Sequence, residues 1–145
     1  MKMIIVVLLL LVLAVCDLRY QKIPCKLLAI YGITLLILSG LFYLESFGLK
    51  GLLKMAIGML PGLILLVLAC LFKQEIGKGD GLVLLFLGAT IGGKACMLVM
   101  FAGLFMASIV GIFLMICKKG SRKTRLPYIP FVLLGYILTS SLKVV

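Results

Sequence analysis

Six uncharged, apolar stretches make up most of this sequence, and they restrict its fold more than any other feature. They cover residues 3–16, 27–44, 55–72, 81–93, 95–117 and 126–142. Mean hydropathy is +1.37, and charged residues are only 13% of the chain, about half their share in a soluble domain. A helix crosses a bilayer with about 20 apolar residues. The sequence therefore predicts an all-α, polytopic membrane bundle of six transmembrane helices, in a single domain over residues 1–145.

The first and fourth stretches are shorter than a membrane-spanning helix, and each of them borders an aspartate. Asp17 directly follows the first stretch, and Asp80 directly precedes the fourth. Counting residues 17–19 into the first helix, and Asp80 with a snorkelling Lys94 into the fourth, brings both helices closer to a membrane thickness. We therefore expect Asp17 and Asp80 to lie just inside the membrane boundary.

The basic residues predict the orientation, because cytoplasmic loops of membrane proteins carry most of the Lys and Arg. With six spans, alternate loops lie on the same side, and one side receives ten of the fifteen basic residues. These ten are Arg19, Lys22, Lys26, Lys73, Lys78, Lys118, Lys119, Arg122, Lys123 and Arg125. We predict that this side is cytoplasmic, that both termini lie outside the cell membrane, and that the two aspartates share the cytoplasmic end of the bundle.

Residue types that are missing from the sequence exclude several kinds of chemistry. The chain has no histidine, which excludes Ser-His and Cys-His hydrolases, metalloproteases with a helical H-E-x-x-H motif, and a haem bound through histidine. Its five cysteines form no C-x-x-C pair, so we expect neither a metal site nor a cofactor. The net charge of +11 is divided among short clusters between apolar stretches. That arrangement is typical of loops that face anionic lipid headgroups, and we predict no nucleic-acid partner.

The two aspartates are the strongest candidates for a functional site. A carboxylate within a membrane span is costly, so its presence favours a functional role. Two carboxylates close together do not both ionise readily, which leaves one as an acid and the other as a base near neutral pH. Aspartic proteases use this division, in which one carboxylate deprotonates a water and the other protonates the scissile carbonyl.

Three glycines surround Asp80 in the segment Gly77-Lys78-Gly79-Asp80-Gly81. Glycine leaves the backbone bare, so a substrate strand could approach it closely. We predict that Gly77, Gly79 and Gly81 border a bound peptide. Another explanation is purely structural, since Asp is a favoured N-cap residue and could simply begin the fourth helix.

Three segments resemble the signatures of the type IV prepilin peptidases, the G-x-G-D membrane aspartic proteases. The second signature of that family is similar to Gly-Lys-Gly-Asp at residues 77–80, with the apolar helix that follows. The first signature, an aspartate at the end of helix 1 followed by a basic residue and Ile-Pro-Asn, resembles residues 17–25, which read Asp-Leu-Arg-Tyr-Gln-Lys-Ile-Pro-Cys. A third similarity is Leu-Pro-Tyr-Ile-Pro-Phe at residues 126–131.

The resemblance implies an aspartic endopeptidase that cleaves the basic leader from prepilin or pseudopilin-like proteins at the cytoplasmic membrane face. Asp17 and Asp80 match the two catalytic aspartates of the family. The chain departs from the pattern at Cys25, where asparagine is usual, and at Leu82, where lysine is common. Larger members also carry a cysteine-containing N-terminal insertion associated with methylation, so the chain looks like the short form and we do not predict methyltransferase activity.

Other functions are also compatible with part of the pattern. A small proton-coupled membrane transporter could relay protons through the same acidic pair. Acids at one membrane face rather than the midplane, and the lack of an internal repeat, disfavour that alternative. A second alternative is a membrane scaffold without catalytic activity.

Glu45 and Glu75 are interpreted as loop charges, although Glu75 is close enough in sequence to Asp80 to be a third acid at the site. The sequence does not indicate an oligomeric state or a particular prepilin-like substrate.

Overall fold

The computed structural model describes residues 2–20, 25–71, 77–117 and 127–141, and its regular elements in these ranges are six α-helices. Their bounds are α1 Lys2–Tyr20, α2 Cys25–Phe47, α3 Leu49–Leu71, α4 Lys78–Ile91, α5 Gly93–Ile116 and α6 Ile129–Ser141. The prediction of an all-α fold is confirmed. Glu75, Lys22, Lys73 and the five basic residues from Lys118 to Arg125 lie outside the described residues.

Four of these helices are long and apolar enough to cross a membrane, which is typical of a membrane protein. The candidate spans are Met3–Tyr20, Lys26–Leu44, Lys50–Leu71 and Gly93–Ile116. By contrast, α4 has 14 residues and α6 has 13. At 1.5 Å per residue, each is about 20 Å long and shorter than the ~30 Å hydrocarbon layer. The structure thus supports four of the six predicted transmembrane helices by length.

The prediction that the first helix extends past Asp17 and that the fourth helix includes Asp80 is confirmed. The first helix continues through Asp17 to Tyr20, and the fourth includes Asp80 in its first turn. The prediction that Lys94 belongs to the fourth helix is wrong. The helix ends at Ile91 because Gly92 adopts a φ of 86°, a conformation that favours glycine, and Lys94 lies in the first turn of α5.

Glycines let α4 approach α3 so closely that their backbones touch. A Cβ atom at Gly58 would collide with the carbonyl oxygen of Gly88, and one at Gly62 would collide with the backbone of Leu85. A Cβ at Gly81 would lie 3.0 Å from the Leu66 Cα atom. Small residues of this kind allow close helix packing in lipid. As a result α4 is surrounded by α3, α2 and α5, and it lies within the bundle.

The core of the bundle contains buried side chains of all six helices, and we call the part that α1, α2, α4 and α6 contribute the seam. Leu10 and Leu13 of α1 and Leu84 and Leu87 of α4 have no exposed surface. Most other large apolar side chains of the long helices are exposed, as expected for a surface that faces lipid. Among the side chains that the structure describes, Asp17 is the only buried charged one, with 7% exposure.

The α3–α4 contact gives a test of this fold. We expect Gly62→Ala to destabilise the protein in detergent by about 1–3 kcal/mol, because the new methyl group meets the backbone of Leu85. Gly40→Ala on α2 is the matched control, since a Cβ there has no atom within 4 Å. Thermal unfolding followed by circular dichroism measures both. Equal midpoints for the two variants would contradict the close approach of α3 and α4.

Candidate active site at one end of the bundle

Asp17 lies in the last turn of α1 and connects that helix to the start of α6. Its Oδ2 atom accepts a hydrogen bond of 3.2 Å from the backbone N–H of Ile129, the first residue of α6. The first N–H groups of a helix have no partner within the helix, and a carboxylate there is favoured by the helix dipole. The buried carboxylate and the end of α6 therefore satisfy each other.

Tyr128 holds the start of α6 on the opposite side. Its hydroxyl donates a hydrogen bond of 3.1 Å to the carbonyl oxygen of Met100 in α5. The Tyr128 carbonyl oxygen accepts from the N–H groups of Phe131 and Val132, in the first turn of α6. The chain just before α6 is thereby fixed between α1 and α5, which restrains the amide that binds Asp17.

Asp80 occupies the third position of α4, and its carboxylate lies over Gly77. The N–H of Asp80 donates to the carbonyl oxygen of Gly77 at 3.0 Å. A Cβ atom at Gly77 would be only 2.7 Å from Oδ2 of Asp80, so a larger residue there would displace the carboxylate. The structural explanation of Asp80 as the N-cap is wrong, because Gly77 is the N-cap and α4 has no side-chain cap. Within the described part of the chain, no hydrogen bond engages the Asp80 carboxylate.

The two carboxylates interact electrostatically. Asp80 lies outside the four candidate spans, and burial, followed by the negative charge of Asp17, raises its pKa from 3.8 to about 7. Burial and then the charge of Asp80 also raise the pKa of Tyr128. Asp17, Asp80 and Tyr128 thus belong to one electrostatic cluster, in which one aspartate holds a proton for a substantial fraction of the time near neutral pH.

The three glycines near Asp80 have different surroundings. Gly77 is exposed and Gly79 is half-buried, so backbone is accessible just before Asp80. Gly81 is buried and its Cα faces the backbone of Leu66 in α3. No cluster of three or more potential metal ligands occurs among the residues that the structure describes.

Sequence reasoning missed two parts of this site, the Ile129 amide and the Tyr128 hydroxyl. Residues 126–131 carry one of the sequence resemblances, but the sequence assigns none of them a role in the site. The useful signal is Pro130, which has no N–H and is typical of the first turn of a helix. It locates the helix start, and hence the free amides that a buried carboxylate needs.

The sequence model of the type IV leader peptidase family matches residues 4–112. The matched segment is more than half of the chain, and it includes both Asp17 and Asp80 but ends before α6. No curated protein and no solved structure gives a significant match.

The bond between Asp17 and α6 predicts a difference between two substitutions. Asp17→Asn keeps an oxygen that accepts from the Ile129 N–H, so we expect its stability to stay close to that of the wild type. Asp17→Leu leaves that buried amide without a partner and should destabilise the protein by about 1–3 kcal/mol. Thermal unfolding in detergent compares the two. If the leucine variant were as stable as the asparagine variant, the bond would not hold α6 in place.

The raised pKa of Asp80 predicts a pH dependence of stability. Between its ordinary value of 3.8 and about 7, the folded protein keeps a proton that the unfolded chain has lost. Stability therefore falls as the pH rises through this window, and Asp80→Asn removes that loss. We expect the midpoint difference between Asp80→Asn and the wild type to be smallest at pH 4 and to grow up to about pH 7. A constant difference would contradict the shift.

Proposed function

Because the chain belongs to the type IV leader peptidase family, we propose that it is an aspartic endopeptidase that removes the basic leader from prepilin or pseudopilin-like proteins. The observation that supports the proposal is the electrostatic interaction between two carboxylates, each near the end of a helix. Asp17 ends α1 and Asp80 begins α4, and their charges are coupled. These are the only aspartates of the sequence.

In the proposed mechanism, Asp17 is the general base and Asp80 the general acid. The Ile129 amide donates to Oδ2 of Asp17 and orients the carboxylate, which takes a proton from water. The resulting hydroxide attacks the scissile carbonyl, while Asp80 donates its proton to the carbonyl oxygen. A pKa near 7 suits Asp80 to this role, because an acid is most effective when its pKa is close to the working pH. As the tetrahedral intermediate collapses, Asp17 gives its proton to the leaving nitrogen and Asp80 takes one from the gem-diol hydroxyl. This breaks the C–N bond, releases the leader and the new amino terminus, and restores both aspartates.

The membrane would deliver the substrate to this site. An apolar helix of the prepilin lies in the bilayer beside the bundle, and its basic leader extends to the headgroup level. We assign the aspartate end of the bundle to the cytoplasmic face of the cell membrane, with both termini outside, because the positive-inside rule favours that orientation. Gly77 and Gly79 border the peptide, since they are accessible beside Asp80. Gly81 supports the site by packing α4 against α3.

Co-expression with a prepilin-like substrate tests this function. We expect Asp17→Asn and Asp80→Asn each to lower the rate of leader cleavage at least ~100-fold, because each removes a proton-transfer group. Cleavage by the wild type should decline above about pH 7, as Asp80 loses the proton that it donates. Immunoblotting for the shortened prepilin measures the rate.

The matched control is Glu45→Gln, which also neutralises one carboxylate. Glu45 lies near the C-terminal end of α2, and we predict that this end is outside. The cleavage rate of this variant should equal that of the wild type. Normal cleavage by either asparagine variant would overturn the two-aspartate mechanism.

A further inference from the structure

A cavity of about 270 Å³ lies at the end of the bundle opposite Asp17 and Asp80. Residues of four helices line it, including Val6 of α1 and Thr90 of α4. Val6 is 11 residues from Asp17 and Thr90 is 10 residues from Asp80 along their helices. At 1.5 Å per residue, the cavity is roughly 15 Å from the aspartates. It is therefore separate from the candidate active site.

The cavity extends from the outer surface of the bundle into its core. At the surface its lining includes Met3 and Phe42, which are 43% and 47% exposed. Inside, its lining includes Val6, Thr90 and Tyr136, which are exposed by 3% or less. Met3 and Phe42 lie at the ends of two candidate membrane spans, so this rim of the cavity belongs to helices that would contact lipid.

The walls of the cavity are suited to a hydrocarbon chain. Met3, Val6, Phe42 and Ile91 contribute only apolar side chains. The Thr90 hydroxyl is bonded to the carbonyl oxygens of its own helix, at 3.0 Å to Phe86 and 2.8 Å to Leu87. Water would find few polar partners along such walls, whereas a chain regains the dispersion contacts that an empty apolar cavity lacks.

Tyr43 lies close to two backbone segments that carry lysines. This residue lines the cavity, and its carbonyl oxygen lies against Gly51, which directly follows Lys50. The Tyr43 hydroxyl is 4.0 Å from the position of a Cβ atom on Gly92, two residues before Lys94. Both lysines are exposed. Two exposed lysines close in the chain to residues that contact Tyr43 favour an anionic lipid headgroup at this end of the bundle.

We propose that this cavity binds one acyl chain of an anionic phospholipid, in the membrane leaflet opposite the aspartates, with the lipid phosphate near Lys50 and Lys94. The bound chain contacts α1 and α4, the two helices that carry the aspartates, together with α2 and α6. The lipid thereby fills the end of the seam that protein side chains leave open. This proposal does not depend on the peptidase activity.

Native mass spectrometry of the full chain, released from detergent after delipidation, tests the proposal. The probes are phosphatidylglycerol and phosphatidylcholine with identical acyl chains. We expect the wild type to retain one phosphatidylglycerol and to retain phosphatidylcholine much less. Val6→Phe adds a ring to the cavity and should lower the retention of phosphatidylglycerol roughly tenfold, as expected when about two methylenes lose their buried site. Val12→Phe, the same change at a membrane-facing position of α1, should have no effect.

The headgroup contact is tested with Lys50→Gln/Lys94→Gln, which should reduce retention of phosphatidylglycerol to the level of phosphatidylcholine. Lys26→Gln/Lys78→Gln removes the same charge at the aspartate end and should leave retention unchanged. Thr90→Leu is a second cavity-filling variant, and circular dichroism establishes that each variant is folded. Equal retention of the two lipids by the wild type would overturn the anionic headgroup. Unchanged retention by a folded cavity-filling variant would overturn the site.

Discussion

The hydrogen bond from the Ile129 amide to Asp17 is the interaction on which the rest of the arrangement depends. A buried carboxylate within a membrane span is costly, so it needs a partner. The first amides of a buried helix need partners as well. Asp17 and α6 meet both needs with one bond between residues 112 positions apart. This bond joins the first described helix to the last and sets where Asp17 lies in the site.

Asp80 is placed by a different kind of contact, the close packing of α4 on α3. Gly58, Gly62, Gly81 and Gly88 remove the side chains that would separate the two helices, and α4 lies between α3, α2 and α5. A helix that is covered by protein need not match the thickness of the lipid, which explains how α4 can be so short. Electrostatics fixes Asp17, whereas van der Waals packing fixes Asp80, and the site forms where the two helices end.

Much of this architecture could be predicted from the sequence because apolar stretches and helix-ending residues are local signals. The helical fold and the positions of Asp17 and Asp80 at helix ends follow from such signals. The helix limits near Lys50 and Lys94 do not follow from charge, because the breaks are Gly48 at a φ of 55° and Gly92 at 86°, and both lysines lie in the first turn of the next helix. The bond between Asp17 and Ile129 could not be predicted, because nothing in either local sequence indicates its distant partner.

Both short helices, α4 and α6, begin at the candidate site, and their N-terminal ends bear on the chemistry that we propose. Asp80 is in the first turn of α4, and Asp17 binds the first amide of α6, so each carboxylate lies at the positive end of a helix dipole. Two acids in an apolar environment become tolerable when two helix ends compensate their charge. A helix that starts at the site and has only 14 residues stops before the far side of the bilayer. Thr90 and Ile91, at the end of α4, line the part of the seam that protein does not fill. The short length of α4 therefore accounts for the cavity at the end of the bundle opposite the aspartates.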